Sequence, residues 1–209
     1  MSPMSDSYSN EQPLRIAVLV SGGGTTLENF IIRLADGRLR GIAITGVISS
    51  RGDVRGVDIA RDAGLPLAIV RKRDHDDLYA YSDALVRALD TGRPDLVVMA
   101  GFLCLWRIPP RYEGRVLNIH PALLPKFGGK GMYGHHVHEA VLAAGEPESG
   151  CTVHLADNQY DHGPTLAQAR VPVLPGDTPE SLAERVLVEE HRLYPECLAK
   201  VVRGQVLMP

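Results

Sequence analysis

The chain is poor in anything that would staple it, anchor it in lipid or charge one face. Only three of its 209 residues are cysteine, and Cys104, Cys151 and Cys197 are widely spaced. An odd, scattered set excludes a disulfide framework and a Cys-x-x-Cys metal site, and it fits a reducing cytoplasm. No stretch approaches the roughly 20 apolar residues of a membrane helix. No lysine or arginine block stands out, and the formal charge is −3, so the charge pattern points to no nucleic-acid face. Arg71-Lys72-Arg73 is basic, but Asp74, Asp76 and Asp77 follow at once, which reads as a solvated turn. Met1–Pro13 lacks the basic start and apolar core of a signal peptide. Rich in Ser, Asn and Pro, this stretch reads as a disordered tail. Residues 14–209 then form one domain, and 44% hydrophobic residues suffice for a full core.

What is present is a regular alternation. Arg15–Val20 is a nearly continuous apolar run, as a strand buried on both faces requires. A glycine-rich turn, Ser21-Gly22-Gly23-Gly24-Thr25-Thr26, breaks it, and Leu27, Phe30, Ile31 and Leu34 then recur at helical spacing. Ile42–Ile48, Leu67–Val70, Leu96–Ala100 and Val116–Asn118 read as further strands, with helices over Val54–Ala63 and Tyr79–Leu89 and a short one over Ile108–Tyr112. This pattern predicts an α/β fold: a Rossmann-like, doubly wound, mostly parallel sheet. After a loop with Gly128, Gly129 and Gly131, a helix is expected over Val137–Ala144. Strands at Thr152–Ala156 and Leu166–Val173 follow with no helix between them, which predicts an antiparallel C-terminal edge. Thr178 and Pro179 begin the last helix as N-cap and first residue, and Pro195 should kink or restart it.

The motif Asn118-Ile119-His120-Pro121 carries the clearest chemistry. Alternation along extended chain points Asn118 and His120 the same way, and Pro121 biases His120 toward extended backbone. An amide and an imidazole side by side suit acyl chemistry, one binding an oxyanion while the other moves a proton. The plainer reading is a turn whose polar groups only satisfy backbone. The glycine turn offers backbone N–H groups at a helix start, a ready anion site, or is simply a tight turn. It is no Walker loop, since no Gly-Lys-Ser/Thr follows. As a dinucleotide fingerprint it is incomplete: Leu27 stands where a third glycine belongs, and Ser49-Ser50-Arg51 carries no ribose-binding carboxylate. A small phosphate monoester fits better. Asp161, in a polar loop closed by Gly163-Pro164, either makes its own turn or sits near His120, holding it as imidazolium and raising its pKa. His135, His136 and His138 at a helix start read as solvated or capping rather than metal-binding, because neighbours on a helix diverge by about 100°. Glu189-Glu190-His191 is surface, or turns one carboxylate to a ligand. The cysteines read as inert packing, with Cys104 placed to line a pocket.

Taken together and in order, five segments resemble the phosphoribosylglycinamide formyltransferases, a folate-dependent family of purine synthesis. They are Val20–Thr25, Ala100-Gly101-Phe102-Leu103, Asn118–Pro121 with Leu123-Leu124-Pro125, Asp161-His162-Gly163-Pro164, and Glu189-Glu190-His191 with Tyr194-Pro195. The resemblance runs from about Arg15 to the end. It implies formyl transfer from 10-formyltetrahydrofolate to the amine of glycinamide ribonucleotide, without a metal. It implies Asn118, His120 and Asp161 as the catalytic trio, with His120 protonated. It implies that Gly24, Thr25 and Thr26 hold the phosphate and that Glu190 faces the ribonucleotide. Leu103, Cys104, Leu105 and Trp106, with Asn118 and the Asp157–Asp161 loop, would form the folate pocket. Some members carry an arginine where Cys104 stands, and Arg107 or Arg111 is the substitute expected to meet the folate's glutamate tail. The expected partners are these two small molecules, neither nucleic acid nor membrane, with a homodimer left open. Within the superfamily, formyltetrahydrofolate hydrolase usually adds a preceding domain and methionyl-tRNA formyltransferase a C-terminal barrel; neither expectation suits this chain. A non-catalytic phosphate-binding module would leave Asn118 and His120 unexplained.

Overall fold

A computed structural model describes residues 12–205. Most of the expected N-terminal tail therefore lies outside the described residues. Seven strands form one sheet: β1 (Leu14–Val20), β2 (Ile42–Ser49), β3 (Leu67–Ile69), β4 (Leu96–Met99), β5 (Val116–His120), β6 (Glu148–Leu155) and β7 (Thr165–Pro172), in the order β3-β2-β1-β4-β5-β6-β7. The first five are parallel, and β6 is antiparallel to both neighbours. Four α-helices lie between strands, α1 (Thr25–Ala35), α2 (Arg55–Asp62), α3 (Leu78–Gly92) and α4 (His135–Ala143), and α5 (Pro179–Val202) follows the last.

The two faces of the sheet follow from the strand period of two. Ile16, Val18 and Val20 of β1 pack with Leu27 and Phe30 of α1 and with Leu182, Tyr194 and Leu198 of α5. Ala17 and Leu19 face the other way, toward Tyr81, Leu85 and Leu89 of α3 and the segment carrying Phe102, Trp106 and Ile108. In β5 the alternation gives Leu117 and Ile119 to the first face. Asn118 and His120 therefore fall on the second, beneath the 102–108 segment.

Two local expectations are corrected. Strand β5 does not end at Asn118 but continues through His120, because β6 pairs with it as far as His120 opposite Thr152. Helix α5, expected to kink or restart at Pro195, does not restart there; it continues as one helix from Pro179 to Val202. Proline removes the N–H that would reach the carbonyl four residues back. That carbonyl, on His191, instead accepts a 2.8 Å hydrogen bond from the Asn29 side-chain amide of α1. Tyr194 fastens the same turn to the sheet, donating to the Leu117 carbonyl at 3.0 Å and meeting Phe30 edge-on at 5.4 Å, a contact of about 0.5–1.5 kcal/mol beyond burial. The start of α5 is as expected, with Thr178 and Ser181 capping each other.

Candidate active site

Strand order reverses between β1 and β4, and a doubly wound sheet opens a crevice at such a point. Here it is a cleft of about 480 Å³. Ser21 ties its walls together: its hydroxyl meets Ser50 at 2.6 Å and accepts the Leu103 N–H at 3.0 Å. On one side stands the glycine turn. Gly24 has φ +70 and no side chain to cap α1, so the first N–H groups of the helix are left for an anion. A Cβ on Gly24 would lie 2.5 Å from Gly56 Cα, so the starts of α1 and α2 touch backbone to backbone.

The floor is built from β5, β6 and the loop after β6. Asp161 Oδ2 lies 3.4 Å from His120 Nδ1, and the Asn118 amide donates to Asp161 Oδ1 at 3.3 Å. The Gly129 N–H donates to Asp161 at 3.0 Å. His120 Nε2–H donates to the Phe127 carbonyl at 2.8 Å. Asp161 itself sits at φ 52, a conformation that costs a non-glycine residue about 1 kcal/mol or more and persists only where its surroundings enforce it. They do: the loop doubles back so tightly that a Cβ on Gly163 would strike the Leu155 carbonyl.

Electrostatics correct one expectation. The His120 pKa is lowered, not raised: burial disfavours the imidazolium more than the Asp161 carboxylate favours it. Burial also pushes the Asp161 carboxyl up, but the neighbouring His154 and His120 rings and the Gly129 N–H bring it net below the usual value. The resting pair is thus a carboxylate beside a weakly basic imidazole.

The sequence pattern of the formyl transferase family matches residues 14–198. The chain belongs to the formyl transferase family. Over 204 residues it is 40% identical to the chloroplastic phosphoribosylglycinamide formyltransferase of Arabidopsis thaliana, covering 95% of this chain and 69% of that protein. It is also 40% identical over 193 residues to the trifunctional purine biosynthetic protein adenosine-3 of Drosophila pseudoobscura pseudoobscura, covering 91% of this chain and 14% of that one. The crystal structure of glycinamide ribonucleotide transformylase 1 from Symbiobacterium toebii superposes with a TM-score of 0.89 at 37% identity, covering all of this chain and 96% of that one.

In this formyl transferase one cleft is bordered by twelve of the residues singled out from the sequence for the site: Gly24, Thr25, Thr26, Leu103, Cys104, Leu105, Trp106, Asn118, His120, Asp157, Asp161 and Glu190. Tyr160, of the expected Asp157–Asp161 loop, lines it as well, and two further contributors escaped that reading. His154, opposite Asn118 on β6, lines the cleft, as does the loop from Gly129 to Gly134. His154 carried a signal in its even spacing from Thr152, but only the β5–β6 register turns that into a contact. Arg107 and Arg111 do not line the cleft; they border a neighbouring groove. Arg107 stacks 4.5 Å over Tyr79 and Arg111 pairs with Asp90 at 2.6 Å.

The histidine cluster divides. His135 and His136 are exposed, and His136 contacts Glu139 at 3.2 Å. His138 is buried, against the expectation of solvation, because it shares the inward face of α4 with Val137 and Val141. Burial brings its pKa down to about 4. Among the described residues no group of three or more His, Cys, Asp and Glu is arranged to hold a metal ion, and no helix is long and apolar enough to cross a membrane. Burial raises the Cys151 and Cys197 thiols to about 12 and about 11, which makes both poor nucleophiles.

Burial pushes the Glu190 carboxyl up to about 7. Its folded pKa is therefore above the unfolded one. Stability is undiminished below about pH 4, is lost as the unfolded chain ionises first, and stays lost above pH 7. Glu190→Gln is expected to melt higher than the parent at pH 8 and level with it at pH 4.5. Melting scans of both proteins at both pH values check this; an equal difference at the two values would refute the assignment.

Proposed function

We propose that this formyl transferase moves a formyl group from 10-formyltetrahydrofolate to the primary amine of glycinamide ribonucleotide, a step of purine synthesis. The observation that carries the reading is the meeting of Asn118, His120 and Asp161, each within 3.4 Å of another, between an anion-binding helix start and an apolar wall. Gly24, Thr25 and Thr26 take the phosphate and Glu190 faces the ribonucleotide. Leu103, Cys104, Leu105, Trp106 and Asp157 take the folate. The names of the relatives agree with the nucleotide and with the formyl group transferred to it.

The amine attacks the formyl carbon, and the carbonyl oxygen becomes an oxyanion. Asn118 and the His120 Nε2–H stabilise it, the oxyanion replacing the Phe127 carbonyl as the acceptor on that nitrogen. The attacking nitrogen gives up one proton and the folate nitrogen gains one as its bond to carbon breaks. Asp161 and His120 hold that proton in between. His120 need not start as an imidazolium; negative charge developing beside it draws the proton on. The unpaired thiols fit a cytoplasmic setting.

One assay tests the reading. The protein is mixed with 10-formyltetrahydrofolate, with and without glycinamide ribonucleotide, and tetrahydrofolate release is followed. Turnover only with the nucleotide is expected. Deformylation without it would make the chain a hydrolase, and no turnover with either would leave a binding module.

A further inference from the structure

His154 takes no part in the chemistry just described, yet it is among the most enclosed polar residues of the chain, 1% exposed. It stands on β6 directly opposite Asn118 of β5, so the two side chains rise from the same face of the sheet. One ring nitrogen, Nδ1, lies 2.9 Å from the Leu155 carbonyl oxygen. A carbonyl can only accept, so Nδ1 carries the proton. The other nitrogen, Nε2, lies 3.1 Å from the Asn118 side-chain nitrogen. Asp161 Oδ1 is farther from it, at 3.6 Å, beyond hydrogen-bond reach.

This arrangement decides which way the Asn118 amide faces. A bare Nε2 and the Asp161 carboxylate are both acceptors. They flank one end of the amide, at 3.1 and 3.3 Å. Turned over, the amide would put its oxygen against two acceptors inside a closed site, leaving each unpaired. We propose that His154 is a positioning residue of the transfer reaction: its Nδ1–H tautomer, locked by the Leu155 carbonyl, holds the Asn118 amide nitrogen toward Asp161. One N–H stays on His154 Nε2, while the other, which rests on Asp161, passes to the oxyanion, so the donor is oriented before charge develops. The neighbouring position on β6 acts in kind. Thr152, opposite His120, donates to the Ala122 carbonyl at 2.6 Å and accepts the Leu124 N–H at 3.1 Å, fixing the chain that leaves His120. Strand β6 thus braces both reacting side chains of β5 from the row beside them.

The inference rests on the formyl-transfer reading for its kinetic test, but not for its spectroscopic one. In the wild-type protein, ¹⁵N chemical shifts of the His154 ring are expected to show a protonated Nδ1 and a bare Nε2. A protonated Nε2 with bare Nδ1 would overturn the proposal whether or not the protein transfers formyl groups. In kinetics, His154→Leu is expected to lower kcat roughly 10- to 100-fold, less than loss of a group that touches the reacting atoms, with KM for both substrates within about threefold. His154→Gln, whose amide oxygen can accept from Asn118, is expected to recover most of that loss. The decisive comparison is His154→Leu in an Asn118→Ala background, where a residue acting through Asn118 should cost nothing more. An equal cost in both backgrounds, or a leucine variant within twofold of wild type, would overturn the proposal. If the leucine variant does not fold, the ring shifts decide alone.

Discussion

Replacing His120 with alanine is expected to lower kcat by about 100- to 1000-fold, the usual loss when one oxyanion donor is removed, while KM for both substrates changes only a few-fold. The split follows from where binding and chemistry reside. On the proposed reading the helix start at Gly24–Thr26 holds the nucleotide and the apolar wall holds the folate, so binding does not depend on the imidazole. His120 contributes through Nε2, which donates to the Phe127 carbonyl at rest, and through its pairing with Asp161. Asp161→Asn should behave alike. The asparagine cannot hold the proton in transit, and it leaves the Gly129 N–H facing a weaker acceptor. Steady-state kinetics with both substrates varied check the pair. Near-normal turnover in both variants would remove the trio from the mechanism. Because both side chains are buried, circular dichroism and melting scans should accompany the kinetics, so that loss of fold is not read as loss of chemistry.

Gly24→Ala is expected to raise KM for the ribonucleotide about tenfold or more and to lower the melting temperature by several degrees. Two effects add. The φ of +70 strains any residue with a Cβ by about 1–2 kcal/mol. That Cβ would also lie 2.5 Å from Gly56 Cα and 3.2 Å from Ile59 Cδ1. The first is backbone and cannot rotate away, so α2 must shift. Gly56 cannot move alone, because its N–H donates to the Gly22 carbonyl at 3.1 Å; the shift carries the turn with it and spoils the anion site. At about 2–4 °C per kcal/mol for a chain of this size, strain alone predicts a visible drop. Gly22→Ala is the control, since a Cβ there meets nothing within 4 Å and should leave stability unchanged. If both alanine variants melt together, the backbone contact is not what shapes the turn.

These outcomes bear on parts of the molecule that were legible in the sequence to different degrees. The strands β1 and β4 stand out because burial on both faces demands unbroken apolar runs, and their predicted limits, like those of β2, lie within one residue of those observed. The C-terminal antiparallel pair was readable from two successive strands without a helix. The end of β5 was not. The local pattern reads as a strand only as far as Asn118, whereas pairing of His120 with Thr152 of β6 carries it on through His120. That α5 does not restart at Pro195 was hidden for a similar reason: the carbonyl the proline leaves unpaired is taken by Asn29, far earlier in the chain.

The sequence by itself determined the alternation of strands and helices, the glycine turn at the first strand's end and the shared direction of Asn118 and His120, since each follows from periodicity or backbone sterics within a few residues. Only the tertiary structure decided that Asp161 reaches them, that His154 stands behind Asn118, and that His120 is less basic than usual. Those facts depend on strand register, on a loop folded tightly over β6 and on the removal of water, and each of these is a property of segments far apart in the chain that meet only when it folds.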